Sequence, residues 1–366
     1  MTSNKIIGLI IALFIILGAL VALRTMPLFS SSTKGRTMKT QTTVSKEQAR
    51  TIYFAGGCFW GTEKYFATIP GVIDAEAGYA QGNVDKAPTY EEVCSGKTGC
   101  RETVKITFDP NTVSVDALVL AFFQIINPTV TGRQGNDIGD QYQTGIYYTD
   151  AAEQSRVEKI VAIEKTLHKN FAVEVEKLTS YYPAETYHQD YLDKNPLGYC
   201  HITPGAFKKL ETILKQAEDD GISVDAALKN AFAPEAYKVT QQNATERPFT
   251  SAYGTEDRKG IYVDITTGEP LFSSEDKYTS SCGWPAFTRS IADEAIAKKQ
   301  DTSHGMTRTE VRSSQGDAHL GHVFTVDSES PNGVRFCING AALRFVPFED
   351  LEKEGYEEYR ELFDKK

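Results

Sequence analysis

From Ile6 to Leu23 every side chain is Ile, Leu, Val, Ala, Phe or Gly, and the run is bounded by Lys5 and Arg24. That is about the length needed to cross a hydrocarbon core as a helix. The run is long for the apolar centre of a cleavable signal, and Leu23-Arg24-Thr25 lacks the small residues of a cleavage site. Residues 1–24 therefore read as a transmembrane anchor or uncleaved signal, with a cleaved signal peptide as the rival, and residues 25–48, rich in Ser and Thr, as a flexible tether.

Beyond the tether the pattern shortens. Thr51–Ala55, Val72–Tyr79, Val104–Phe108, Ile146–Tyr148 and Phe171–Leu178 read as strands, while Val115–Ile126 and Ala151–His168 carry apolar residues at helical spacing. Interleaved in this order, they predict an α+β domain over residues 49–212, a sheet with helices packed on it. Leu210–Asp220 and Asp225–Phe232 predict two charged helices whose Lys, Glu and Asp residues form a solvated face, with a linker at 213–230. From 231 to 366 short alternating strands follow: Gly260–Asp264, Glu310–Arg312, His322–Val326, Val334–Ile338 and Leu343–Val346. Turn signals at Thr267-Gly268-Glu269-Pro270 and Pro331-Asn332-Gly333 separate them, which predicts a mainly β domain, two packed sheets or a barrel. The halves share no self-similarity, so the chain reads as a fusion rather than a duplication.

Length agrees with two domains plus extras, since 366 residues exceed what one core usually serves. A formal net charge of -10 without a basic aromatic stripe argues against a nucleic-acid partner. The six cysteines, Cys58, Cys94, Cys100, Cys200, Cys282 and Cys337, include no C-x-x-C pair, so neither a structural zinc site nor a thioredoxin-type motif is encoded. A disulfide scaffold suits shorter, more cysteine-dense chains.

The candidate chemistry begins at Gly56-Gly57-Cys58-Phe59-Trp60-Gly61, where a strand ends in two glycines and a helix starts near Thr62. A cysteine at a helix N-terminus faces unpaired N–H groups and the positive end of the dipole, which favours thiolate; the bland alternative is a buried cysteine closing a turn. This motif, Pro88-Thr89-Tyr90-Glu91-Glu92-Val93-Cys94-Ser95-Gly96 with Glu102, Asn136-Asp137-Ile138-Gly139-Asp140-Gln141-Tyr142, Tyr187-His188-Gln189-Asp190-Tyr191-Leu192 and Asn195-Pro196-Leu197-Gly198-Tyr199-Cys200 together resemble methionine sulfoxide reductase A. The resemblance implies an α/β-plait with Cys58 as nucleophile on the sulfoxide sulfur and Glu102 as the acid that protonates the oxygen. It implies Tyr90 and Tyr142 as hydroxyls holding that oxygen, Asp137 as an assisting carboxylate, Phe59 and Trp60 as the methyl pocket, and Cys200 as the resolving thiol. Cys94 reads as structural, and Cys100 departs from the family pattern, where His is common.

A second resemblance opens with Tyr237-Lys238-Val239-Thr240-Gln241-Gln242 and Thr245-Glu246-Arg247-Pro248-Phe249. It continues through Leu271-Phe272-Ser273-Ser274, Cys282-Gly283-Trp284-Pro285-Ala286-Phe287, Gly316-Asp317-Ala318-His319-Leu320-Gly321-His322-Val323-Phe324 and Arg335-Phe336-Cys337-Ile338-Asn339, which look like methionine sulfoxide reductase B. It implies Cys337 as nucleophile, Cys282 as resolving thiol, His319, His322 and Asn339 as the groups that hold and protonate the oxygen, Trp284 as the methyl pocket, and Arg335 as a cation favouring thiolate. Many relatives hold zinc on two C-x-x-C pairs; this chain has none, so it resembles the zinc-free branch, and no metal is expected at His319-x-x-His322. Ser280-Ser281 depart from the acidic residue common before the resolving cysteine.

Together the resemblances imply reduction of both sulfur epimers of free and protein-bound methionine sulfoxide, one per module, through a cysteine sulfenic acid and a disulfide. They imply no bound cofactor and a separate thioredoxin-like dithiol reductant. By analogy with anchored fusions of this kind, the chain is expected at a bacterial cell membrane, single-pass through residues 6–23, with both domains extracytoplasmic, although Arg24, Lys34, Arg36 and Lys39 after the span weigh against export. The rival functions are a thiol redox sensor or peroxidase, and a disulfide-held adhesion module.

Overall fold

The computed structural model describes residues 48–364. Its first module runs β1 (Arg50–Ala55), α1 (Phe59–Ala67), β2 (Val72–Ala80), α2 (Tyr90–Cys94), β3 (Arg101–Phe108), α3 (Val115–Phe122), β4 (Arg133–Gln134), β5 (Asp137–Ile138), β6 (Gly145–Tyr148), α4 (Ala151–Leu167), β7 (Glu174–Lys177), β8 (Tyr181–Pro183) and the one-turn α5 (Tyr191–Lys194). Six strands form one sheet in the order β7-β6-β1-β3-β2-β8, antiparallel except at the β6–β7 edge, while β4 and β5 make a separate ribbon. Side chains alternate across a strand, so register decides which face is apolar. Ile52 opposite Ile106 and Phe54 opposite Val104 share one face, and both pairs join Phe59, Leu118, Phe122 and Ile160 of the helices in the main core. Tyr53 and Ala55 point the other way into a smaller cluster with Ala80 and Tyr147. The result is a sheet with α1, α3 and α4 contributing to the core on one face.

Three boundaries differ from the pattern. The helix over Val115–Ile126 ends at Phe122, where Gln124 and Ile125 donate to Ala121 and Phe122 in tighter three-residue turns as the chain nears Pro128. The strand over Phe171–Leu178 shrinks to Glu174–Lys177. Helix α1 begins at Phe59 rather than near Thr62, which leaves Cys58 as its N-cap residue.

The joint is less solvated than its charges suggest. Helices α6 (Pro204–Asp220), α7 (Val224–Phe232) and α8 (Glu235–Gln242) follow one another, and Leu210, Leu228, Phe232 and Tyr237 are buried in the first core. Asp225 accepts from both the backbone N–H and the hydroxyl of Ser114, the N-cap residue of α3. Charge periodicity marks an exposed stripe but says nothing of the narrower apolar stripe behind it.

The second module contains β9 (Gly260–Asp264), β10 (Pro270–Ser273), β11 (Lys277–Tyr278), β12 (Ala286–Phe287), β13 (Ile296–Asp301), β14 (Arg308–Ser313), β15 (His319–Phe324), β16 (Arg335–Ile338) and β17 (Leu343–Pro347). They form two antiparallel sheets, β10-β9-β17 and β11-β12-β16-β15-β14-β13. Tyr262, Phe272, Phe287, Val311, Leu320 and Ile338 fill the core shared by the two sheets, with Phe272 stacked on Phe287 at 4.5 Å. Helix α8 belongs to both modules: Tyr237 lies in the first core, its hydroxyl 2.7 Å from Asp116 Oδ2, and Val239 lies in the second. Lys159 of α4 adds a bond across the joint, donating to the Gly316 carbonyl at 2.7 Å. No described helix is long and apolar enough to cross a membrane; the run Ile6–Leu23 lies outside the described residues.

Candidate active sites

In the first module β1 delivers the glycines to the start of α1, and β3 runs antiparallel beside it, carrying Glu102. The Glu102 Oε2 accepts the Phe59 N–H at 3.0 Å, one residue past Cys58. This carboxyl is 1 % exposed, and burial, opposed by that hydrogen bond, pushes its pKa up to about 8. Cys58 is 6 % exposed, and its thiol is pushed well above the ordinary cysteine value by burial first and by Glu102 next. The thiolate that a helix N-terminus favours is thus opposed at Cys58. An N–H that would stabilise a thiolate is given to a carboxyl, and desolvation outweighs what is left of the helix-end effect. At neutral pH the pair holds a thiol beside a largely protonated acid.

The other predicted residues gather around this pair. Phe59 is buried, and its ring lies 4.9 Å from His188. Trp60 stacks on Tyr191 of α5 at 3.7 Å and donates its indole N–H to His188 Nδ1 at 3.1 Å. Because that nitrogen accepts, the proton of the neutral ring sits on Nε2, which has no hydrogen-bond partner among the described residues. Tyr90 meets His188 edge-on at 4.6 Å, and its backbone N–H donates to Glu185, whose other oxygen accepts from Tyr79. Burial raises the pKa of both Tyr90 and Tyr142, and the Glu102 charge is the next cause for each. Burial raises the Asp137 pKa, against the lowering effects of Tyr199 and His201. Cys200 is half-buried with its sulfur over Gly61, where a Cβ would lie only 2.8 Å from it. Cys94 is exposed rather than packed in the core, whereas Cys100 is buried against Gly82.

The second site sits on three neighbouring strands. His322 of β15 is paired in register with Cys337 of β16, and β14 brings Glu310 opposite His322. Cys337 Sγ lies 3.4 Å from Cys282 Sγ. The two sulfurs are coupled through this contact, and Arg335 lowers the pKa of both. Arg335 is fixed by Asp327 at 2.5 Å and lies over the Phe324 ring. Each imidazole donates to its own carboxylate: His319 Nδ1 to Glu310 and His322 Nε2 to Asp301, both at 2.7 Å. Burial lowers the His319 pKa against the raising effect of Glu310.

Trp284 donates its indole N–H to the Glu246 carbonyl at 3.1 Å. Asn339 accepts from the Glu246 N–H and donates to the Leu320 carbonyl, each at 3.0 Å, so its oxygen and one amide N–H are committed to backbone. Ser280 and Ser281 bind Glu329, which anchors the loop before Cys282. The residues of a C-x-x-C zinc site are absent from the sequence, and no group of three or more His, Cys, Asp or Glu among the described residues is placed to hold a metal ion.

Sequence reasoning did not single out His188, Tyr191, His201, Glu246, Asp301 or Glu310. His188 and Tyr191 stood inside a quoted motif, between aromatic residues, and that was the available signal. The carboxylates behind the histidines carry no local signal, because strand pairing alone brings them there.

Two modules, each with a thiol, a second thiol in reach and proton-bearing groups beside them, define thiol-dependent oxidoreductase sites. A family model described as peptide methionine sulfoxide reductase matches residues 50–220, and a SelR domain model matches residues 232–347. The chain belongs to the methionine sulfoxide reductases, as a fusion of an A-type domain, which reduces the S epimer, with a B-type domain, which reduces the R epimer. Among solved structures it is similar to reduced Mxr1 from Saccharomyces cerevisiae, at 31 % identity over 43 % of this chain and 93 % of that one, TM-score 0.42. It is similar also to methionine sulfoxide reductase A of Corynebacterium diphtheriae, at 38 % identity over 43 % and 79 %, TM-score 0.40. Mxr1 in complex with Trx2 is 20 % identical over 40 % and 87 %, TM-score 0.30.

Proposed function

We propose that the two modules work as separate sites with distinct thiol pairs. In the first, Cys58 attacks the sulfoxide sulfur while Glu102 passes a proton to the oxygen and recovers the one Cys58 gives up, leaving methionine and a Cys58 sulfenic acid. Tyr90, Tyr142 and Asp137 hold the oxygen, Phe59 and Trp60 receive the methyl group, and Cys200 closes the disulfide. In the second, Cys337 attacks and gives up its proton to the His319–His322 pair while that pair, in its imidazolium form and with carboxylate support, passes one to the oxygen; Asn339 contributes its remaining N–H, Trp284 receives the methyl group, and Cys282 resolves. The observation that carries this reading is the buried Glu102 carboxyl bonded to the residue next to Cys58, where burial pushes its pKa up to about 8. The test is dithiothreitol-supported reduction of each epimer by residues 48–364 with Cys58→Ser and Cys337→Ser. The first variant is expected to lose only S-form and the second only R-form activity; retention of both activities by both variants overturns the assignment.

A thioredoxin-like dithiol protein is the proposed reductant, supported by the lack of any C-x-x-C motif of the chain's own. We infer a single-pass anchor at residues 6–23 with the catalytic domains outside a bacterial cytoplasmic membrane, supported by the unbroken apolar run. Membrane-impermeant thiol reagents on intact cells test this: labelling of Cys94 is expected, and protection until lysis overturns the orientation.

A further inference from the structure

The segment bearing Cys200 is loose on one side and pinned on the other. Leu197, three residues before it, is fully exposed, and Tyr199 is 45 % exposed. His201, the residue after it, has a side chain only 3 % exposed. Its Nε2 lies 2.8 Å from the Gly56 carbonyl. A carbonyl only accepts, so Nε2 carries the hydrogen and donates. The bond joins the residue after one thiol of the first site to the residue two before the other. The same ring packs where Gly57 has no Cβ; one built there would lie 3.2 Å from His201 Nε2, at a backbone φ of +88°. The ring's other nitrogen, Nδ1, faces Asp137 Oδ2 at 4.0 Å, and neither atom has a hydrogen-bond partner among the described residues.

We propose that His201 is a positioning residue for disulfide closure: its bond to the Gly56 carbonyl holds the resolving segment against the nucleophile loop, so that Cys200 stays seated over Gly61 within reach of the Cys58 sulfenic acid. The closure it serves is balanced within the site. The Cys200 sulfur bonds to the Cys58 sulfur, the S–O bond of the sulfenic acid breaks, and the oxygen leaves as water with the proton of the Cys200 thiol. The sulfenic sulfur is reduced and Cys200 is oxidised, with no further reactant. The bond anchors only one end, so the exposed stretch before Cys200 keeps the freedom a thiol needs to swing the last distance. This inference rests on the reading of Cys58 and Cys200 given above.

The experiment is a single turnover of the reduced full chain with S-form methionine sulfoxide, following the methionine burst and, by dimedone trapping and mass spectrometry, the lifetime of the Cys58 sulfenic acid. Three variants are compared: Cys200→Ser, His201→Leu and His201→Gln. In His201→Leu the sulfenic acid is expected to outlive that of the parent by about tenfold more than the burst is slowed, the scale of one lost intramolecular hydrogen bond. His201→Gln, whose amide N–H can reach the Gly56 carbonyl, restores most of the closure rate. R-form turnover in the same chain reports whether each variant has folded. An unchanged sulfenic acid lifetime in His201→Leu, equal slowing of burst and closure, or no rescue by Gln overturns the proposal. If the sulfenic acid does not accumulate in Cys200→Ser, the underlying assignment of the resolving thiol fails instead, and the two failures are told apart.

Discussion

Burial raises the pKa of both Glu102 and Cys58, and the Glu102 charge further opposes ionisation of the thiol. A raised carboxyl pKa means the acid is charged with its proton below about 8 and loses it above. S-form kcat/KM should therefore fall as pH rises through about 8, a limb that a pH–rate profile of the free enzyme will show. Glu102→Gln should remove the limb and lower S-form kcat/KM by about a hundredfold or more, with R-form turnover as the unaffected internal reference. At the second site the pKa shift is opposite in direction, although the acid again loses its proton as pH rises. Glu310 raises the pKa of a buried histidine that desolvation lowers, so Glu310→Gln should push His319 further down and reduce R-form kcat/KM, most strongly toward higher pH. Gly61→Ala tests contact rather than charge: a methyl 2.8 Å from the Cys200 sulfur should displace it and lengthen the life of the Cys58 sulfenic acid in a single-turnover trap.

Elements set these contacts, and they differ in how far the sequence announces them. Strand β1 and helix α4 were legible from periodicity to within a residue or so, because both combine a long enough run with a plain apolar rhythm. The start of α1 was not: Phe59 and Trp60 look like a hydrophobic step between strand and helix, whereas the helix begins at once and makes Cys58 its cap. The two-residue strands β11 and β12 offer no period to read, yet β12 is what lays Ala286 beside Cys337. The site residues were legible through their motifs, which carry chemistry in short contiguous stretches. Their supports were not, since Asp301 and Glu310 reach the histidines only after β13, β14 and β15 have paired. Helix α7 shows the same limit, for its charged face hid the Asp225 brace on Ser114. Burial alone would raise that carboxyl, but the Ser114 and Lys229 bonds outweigh it and hold it below the ordinary aspartate range. The brace therefore contributes stability above the unfolded aspartate pKa and loses it as pH falls through the folded value. Asp225→Ala should lower the thermal midpoint at pH 7 by a few degrees, about 1 kcal/mol, and less at pH 3, as calorimetry can read.

At the scale of the molecule, the two modules are joined by more than a peptide. Tyr237 and Val239 sit on one helix and are buried in different cores, and Lys159 ties α4 to the loop that leads into His319. Beads on a flexible string would melt independently; modules sharing a buried helix should not. A calorimetric scan of residues 48–364 is expected to show one transition, and Val239→Ala to lower it as a whole by about 1–2 kcal/mol rather than split off a separate component.

The shared helix also bears on how such a chain is made. A ribosome releases the first module before any strand of the second exists. Once that module has collapsed, α8 has a surface waiting for Tyr237, and the Asp116 carboxylate to receive its hydroxyl. Val239 is then displayed from a fixed helix as β9 emerges. The order of synthesis thus supplies the β-rich half, whose long-range pairings are slow to find unaided, with a template already in place.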